Sequence, residues 1–88
     1  MKATLFYSRG DIKKFRLELL ELKKNLKLNH VRLSAVDINS ASAISTIGAY
    51  DILSFPALLL LRDDDTFQAV WQGTLPTSNE LHQAIGYI

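Results

Sequence analysis

The sequence predicts an α/β domain: a four-stranded mixed sheet in spatial order 2-1-3-4, with helices on both faces. Three observations carry this expectation. Between residues 3 and 38 the hydrophobic period switches from strand to helix and back, the signature of a βαβ unit with parallel strands. The apolar stretch Ala57–Arg62 runs into Asp63-Asp64-Asp65 and a second β-prone segment, which reads as a hairpin. Thr77, followed three residues later by Glu80, opens a last helix. With 88 residues the chain makes one domain, 1–88, in the order β-α-β-α-β-β-α.

Each element has a local cause. Ala3–Ser8 is short, apolar and β-branched or aromatic at Thr4, Phe6 and Tyr7, so it reads as a buried strand. Arg9-Gly10-Asp11 is expected to break it. From Asp11 to about Lys27, Ile12, Phe15, Leu19, Leu22 and Leu26 recur at helical steps, and Leu17 and Leu20 are expected to widen that stripe. Asp11 is the expected N-cap, and Asn29 suits the exit. Val31–Ile38 is the second strand. From about Ser40 to Tyr50 runs a second helix whose apolar positions Ala43, Ile44, Ile47 and Tyr50 keep helical spacing; its Ser, Thr and Gly content makes it weak by propensity, so packing must hold it. Leu53-Ser54-Phe55-Pro56 turns the chain into the strand Ala57–Arg62, with the proline at the strand's start because it cannot donate to a ladder. Thr66–Gln72 returns antiparallel and Gly73 ends it. The last helix carries Leu81, Ala84, Ile85 and Ile88.

Composition narrows the function. A hydrophobic content of 48% supports a core without disulfides or a structural metal. A net charge of +1 with 22% charged residues gives no electrostatic footprint for nucleic acid. The longest apolar run, Phe55 to Leu61, is one strand long and far short of a membrane span. The apolar stretch at the N-terminus is too short for a signal peptide, so a soluble, cytoplasmic chain is expected. The absence of cysteine removes disulfide frameworks, Cys-based zinc sites, iron–sulfur clusters and thiol catalysis together.

The second half of the chain, joined to the element order, resembles the thioredoxin/glutaredoxin superfamily. Val36-Asp37-Ile38 is similar to the family's strand with an acidic end. The segment from Ala49 through Tyr50, Ile52, Phe55 and Pro56 to Leu61 is similar to its Y-x-I-x-x-x-P-T-L-x-x-F stretch. Val70-Trp71-Gln72-Gly73 resembles the strand that closes on the family's glycine, and Leu5-Phe6-Tyr7-Ser8 the strand leading to its active-site loop. The resemblance covers essentially the whole chain, in the minimal, glutaredoxin-sized version of the fold. It implies a cis-proline at Pro56, a peptide-facing backbone at Phe55 and a second wall at Gly73 and Thr74.

One departure decides the chemistry that the resemblance can carry. Where the family places C-x-x-C at a helix start, this chain has Asp11-Ile12-Lys13-Lys14. A carboxylate there cannot attack a disulfide and form a mixed intermediate. The resemblance therefore implies a redox-inactive, non-catalytic member that binds a protein or an extended peptide. Its groove would comprise Arg9, Asp11, Lys14, Phe55, Pro56, Gly73 and Thr74, with no cofactor and no metal. The alternative is an assembly subunit working through a sheet edge or a helix face, including as a homodimer. A thiol-free enzyme such as a glutathione-dependent transferase fragment fits less well, because the additional helical domain of such enzymes is absent.

Other candidates weigh less. Arg9, Lys13 and Lys14 beside a helix start could hold an anion, but no Gly-rich cradle accompanies them; capping by Asp11 beside solvated lysines is the simpler reading. His30 and His82 have no converging donors to make a metal site. Ser8 and Ser54 lack the nucleophile elbow that a hydrolase needs. Asp63–Asp65 resembles half a calcium loop without its glycine or its distal glutamate. Trp71, on an expected edge strand, either presents a face for strand addition or packs on the last helix.

Overall fold

The computed structural model describes residues 1–86 and shows the expected α/β architecture. Its elements are β1 (Lys2–Tyr7), α1 (Arg9–Lys14), α2 (Arg16–Leu28), β2 (Arg32–Asp37), α3 (Ala41–Ala49), β3 (Ala57–Leu61), β4 (Phe67–Gln72) and α4 (Ser78–Ile85). The sheet order is β2-β1-β3-β4, with β1 parallel to β2 and antiparallel to β3, and β4 antiparallel to β3. Ile88, expected in the last helix, lies outside the described residues.

Strand alternation sorts the core into two clusters. Ala3, Leu5, Leu58 and Leu60 face α2 and α4, where Leu19, Leu22, Leu26, Leu75 and Leu81 meet them. The intervening residues Phe6, Ala57 and Leu59 face the opposite way, toward Ala43 of α3 and Ile52. Because the strand period is two, a run as apolar as Ala57–Leu61 must be covered on both sides, and here helices cover both. Trp71 packs against the α2/α4 cluster, which decides between its two readings in favour of packing.

Two helices end by the same device. At the end of α2 the His30 amide donates to the Lys27 carbonyl and the Val31 amide to the Leu26 carbonyl, with His30 at φ 57°. At the end of α3 the Asp51 amide donates to Gly48 and the Ile52 amide to Ile47, with Asp51 at φ 52°. This is the Schellman arrangement, and the buried residue that follows each turn, Val31 or Ile52, supplies its apolar contact.

The first helical region departs from expectation. It begins at Arg9 and is two helices meeting at Phe15, whose φ of −108° and ψ of 29° leave the helical region. Ser8 is the N-cap and Asp11 stands three residues later, so Arg9-Gly10-Asp11 forms the first turn and does not break the chain away from it. Phe15, at the break, packs on the α2/α4-side core. Leu17 and Leu20 do not widen the buried stripe: both are exposed, as are Ile12 and Ile44. The sheet is covered by one side of α2, and Leu19, Leu22 and Leu26 already fill that side.

Candidate functional site

The sheet register brings the predicted site to one end of the molecule. Phe6 near the end of β1 pairs with Ala57 at the start of β3, and Ala57 pairs with Gln72 at the end of β4. The α1 start, the Phe55–Pro56 turn and Gly73 therefore leave the same end of three adjacent strands.

Pro56 is fully buried and the Phe55–Pro56 peptide is cis. The Pro56 carbonyl accepts from the Gly73 amide at 3.0 Å, which ties the turn to the end of β4. Gly73 sits at φ 76°, a region that L side chains rarely adopt, and a Cβ there would lie 3.3 Å from the Ser54 Cβ. The Gln72 side chain reaches the other way: its Oε1 accepts from the Leu53 amide at 2.8 Å. Two contacts thus clamp residues 53–56 from β4. Between them, no hydrogen bond among the described residues engages the amide or carbonyl of Ser54 or Phe55. Phe55 is half-buried against the α3-side cluster, and Leu53 and Thr74 are exposed.

Across this end, Asp11 closes the α1 start. Its Oδ2 accepts from the Ser8 amide at 2.8 Å and from the Ser8 hydroxyl at 3.0 Å. Asp11 is therefore the third residue of a capping pair, not the N-cap, and its carboxylate is occupied by the helix it begins. Ser8-Arg9-Gly10-Asp11 fits the Ser-x-x-acid pattern, so this signal stood in the sequence. The Lys14 ammonium lies over the Phe15 ring, 5.5 Å from its centroid, and Arg9 is exposed. Among the described residues, no hydrogen bond or ion pair joins Arg9, Asp11 or Lys14 to Phe55, Pro56, Gly73 or Thr74. The site is a ledge formed by Leu53–Pro56 and Gly73, with the α1 start facing it from β1. Gln72, Ser54 and Ser8 belong to it; the sequence marks the two serines only as candidate nucleophiles, and no pattern marks a strand-end glutamine that will hold a loop amide.

Two wider depressions lie elsewhere. One, of about 350 Å³, runs between α2 and the start of α4, lined by Leu17, Glu18, Glu21, Leu75, Pro76 and Thr77 among others. The other, of about 320 Å³, lies beside α3 over Thr4, Phe6, Val36 and Leu59. An open ledge still suits a strand-like ligand, which needs a backbone edge and not an enclosed cavity.

No protein-family model and no curated protein matches this chain. Solved structures do match, among them one described as that of a malarial protein: 21% identity, a TM-score of 0.70, and coverage of 96% of this chain and 91% of that one. At that identity the likeness shows a shared fold over nearly the whole length. No group of three or more His, Asp or Glu residues placed to hold a metal ion occurs among the described residues. No helix there is long and apolar enough to cross a membrane.

Proposed function

We propose that this chain is a redox-inactive, thioredoxin-like binding module that takes an extended segment of a partner protein along Ser54 and Phe55. The observation that carries the reading is the clamped turn with its unengaged backbone. The Leu53 amide and the Pro56 carbonyl are held by Gln72 and Gly73, while the amides and carbonyls of Ser54 and Phe55 between them have no partner among the described residues. An extended peptide satisfies such groups as an added strand does, with main-chain bonds giving affinity and neighbouring side chains giving selectivity. The resemblance to the thioredoxin/glutaredoxin superfamily supports the same orientation. Without cysteine, the bound segment is held and not reduced. The basic residues Arg9, Lys13 and Lys14 on α1 favour a segment that carries acidic residues.

The test is a peptide selected from a displayed library against the full chain, then titrated into ¹⁵N-labelled protein. Shifts confined to residues 9–14, 53–57 and 72–74, with an affinity at least about tenfold weaker in Phe55→Ala, support the reading. Shifts centred on another face, or an unaltered affinity in that variant, sink it.

A further inference from the structure

α2 carries leucine on both sides. Leu19, Leu22 and Leu26 are buried under it, whereas Leu17, Leu20 and Leu28 are 75%, 57% and 68% exposed. At about 100° per residue the three exposed leucines fall within an arc of about 80°, with Lys24 between them, opposite the buried three. A surface helix normally turns a polar face outward, so this stripe is an exception in need of a partner.

The flanks of the stripe have opposite charge. Glu18 and Glu21 lie on the side of α2 that lines the depression facing Leu75–Ser78. By the helical wheel Arg16 and Lys23 lie on the other flank, with Lys27 at its inner edge, and Lys23 lines a depression over Leu5, Tyr7 and Ala35. Among the described residues none of these five charged side chains forms an ion pair.

We infer that α2 is the contact through which two copies of this chain associate, with their α2 helices parallel about a two-fold axis. The charge pattern selects the direction. A two-fold axis parallel to the helices lays the acidic flank of each against the basic flank of the other. A two-fold axis perpendicular to them would set acid against acid and base against base. In the parallel pair Leu17 and Leu20 occupy successive seam positions, three residues apart, and Arg16 comes opposite Glu21 of the second copy, five residues on. The aliphatic stem of Lys23 covers Leu28 of the second copy in the same way. Lys24 and Lys27 take the next two seam positions, where lysines lower stability and restrict the pairings available. The contact is one short helix on each side, so the association is weak and concentration-dependent.

Sedimentation equilibrium of the full chain from about 10 μM to about 1 mM tests this. A rise from the 9.9 kDa monomer toward twice that mass is expected. Leu20→Glu should weaken association at least about tenfold, and Lys24→Leu should strengthen it by a similar factor. Leu20 and Lys24 are exposed, so neither change threatens the fold. Arg16→Glu or Glu21→Arg alone should each weaken association by about three- to tenfold, and the two together should restore it to within about twofold. A 9.9 kDa species throughout the range overturns the inference. So does tighter association of Arg16→Glu alone, which would mark an antiparallel pair, or failure of the double reversal to restore association.

Discussion

Replacing Gly73 with alanine separates two costs that the structure predicts for the closing wall of the ledge. The first is conformational. At φ 76° an L residue meets its own carbonyl through Cβ, which costs about 1–2 kcal/mol. The second is contact: the new Cβ would stand 3.3 Å from the Ser54 Cβ, so Ser54 must give way by a few tenths of an ångström. Ser54 is exposed and outside any strand, so that movement adds only a few tenths of a kcal/mol. The total of about 1.5 kcal/mol is a large share of the stability of so short a chain. With a urea slope of about 1–1.5 kcal/mol per molar, the midpoint should fall by about 1 M.

A double-mutant cycle with Ser54→Gly assigns the parts. The coupling between the two positions should be only a few tenths of a kcal/mol, because removing the Ser54 Cβ relieves the contact and leaves the backbone cost. Amide exchange supplies a local readout: the Gly73 amide, bonded to Pro56, should lose protection in Gly73→Ala by more than the global loss of stability explains. A Gly73→Ala change of less than about 0.3 kcal/mol would refute this, since neither a forced positive φ nor a crowded Cβ could then be present. A coupling that accounts for most of the loss would refute it differently, by making contact the main cost.

Three further outcomes are expected. His30→Gly should stabilise the fold by about 0.5–1 kcal/mol in urea unfolding, because glycine takes the positive φ after α2 without a Cβ penalty. Asp11→Ala should cost about 0.5–2 kcal/mol and loosen amide exchange in residues 9–14 while α4, with its own Thr77–Glu80 box, keeps its protection. In an NMR titration the Asp64 carboxyl should titrate below its ordinary value of 3.8, held down by bonds from the Thr66 hydroxyl and amide, and Thr66→Val should move it back upward. The sign follows: this interaction is fully present above the ordinary carboxylate pKa and is lost as pH falls through the lowered one.

The fold was legible where one local signal had one structural outcome. The Thr77–Glu80 pair specifies a helix start whatever surrounds it, and the Thr77 hydroxyl does accept from the Glu80 amide at 3.2 Å. The doubly apolar Ala57–Leu61 could be satisfied only inside the sheet, between two layers. Legibility failed where two readings used the same residues. Asp11 is as good an N-cap as it is a third residue, and only the position of Ser8 in space decides between them. Six leucines surround α2, and periodicity cannot tell which three the sheet will cover. Nothing in the local sequence marks the break at Phe15 either, since Phe15 belongs equally to a continuous helix. For the candidate site, the proline and the glycine stood out by residue type. The Gln72 clamp joins positions 19 residues apart and leaves no local trace.

The placement of Pro56 and Gly73 is by itself weak evidence for a ligand, because most of the ledge has work to do in folding. Pro56 and Gly73 fasten β3 to β4, and Ser8 with Asp11 starts α1. Each would be present in a chain that bound nothing. The backbone of Ser54 and Phe55 is different, since no contact among the described residues accounts for its leaving both amides and both carbonyls unpaired there. Four such groups in water cost nothing, but a turn with no ligand gains by pairing at least one of them internally, as the neighbouring Leu53 amide does with Gln72. The discriminating quantity is therefore exchange at the Ser54 and Phe55 amides. In the free chain they should exchange as solvent-exposed amides do, and in a complex with the selected peptide they should become protected. Protection that appears at residues 9–14 alone would place the partner on α1 and return the Phe55 ledge to a purely structural role.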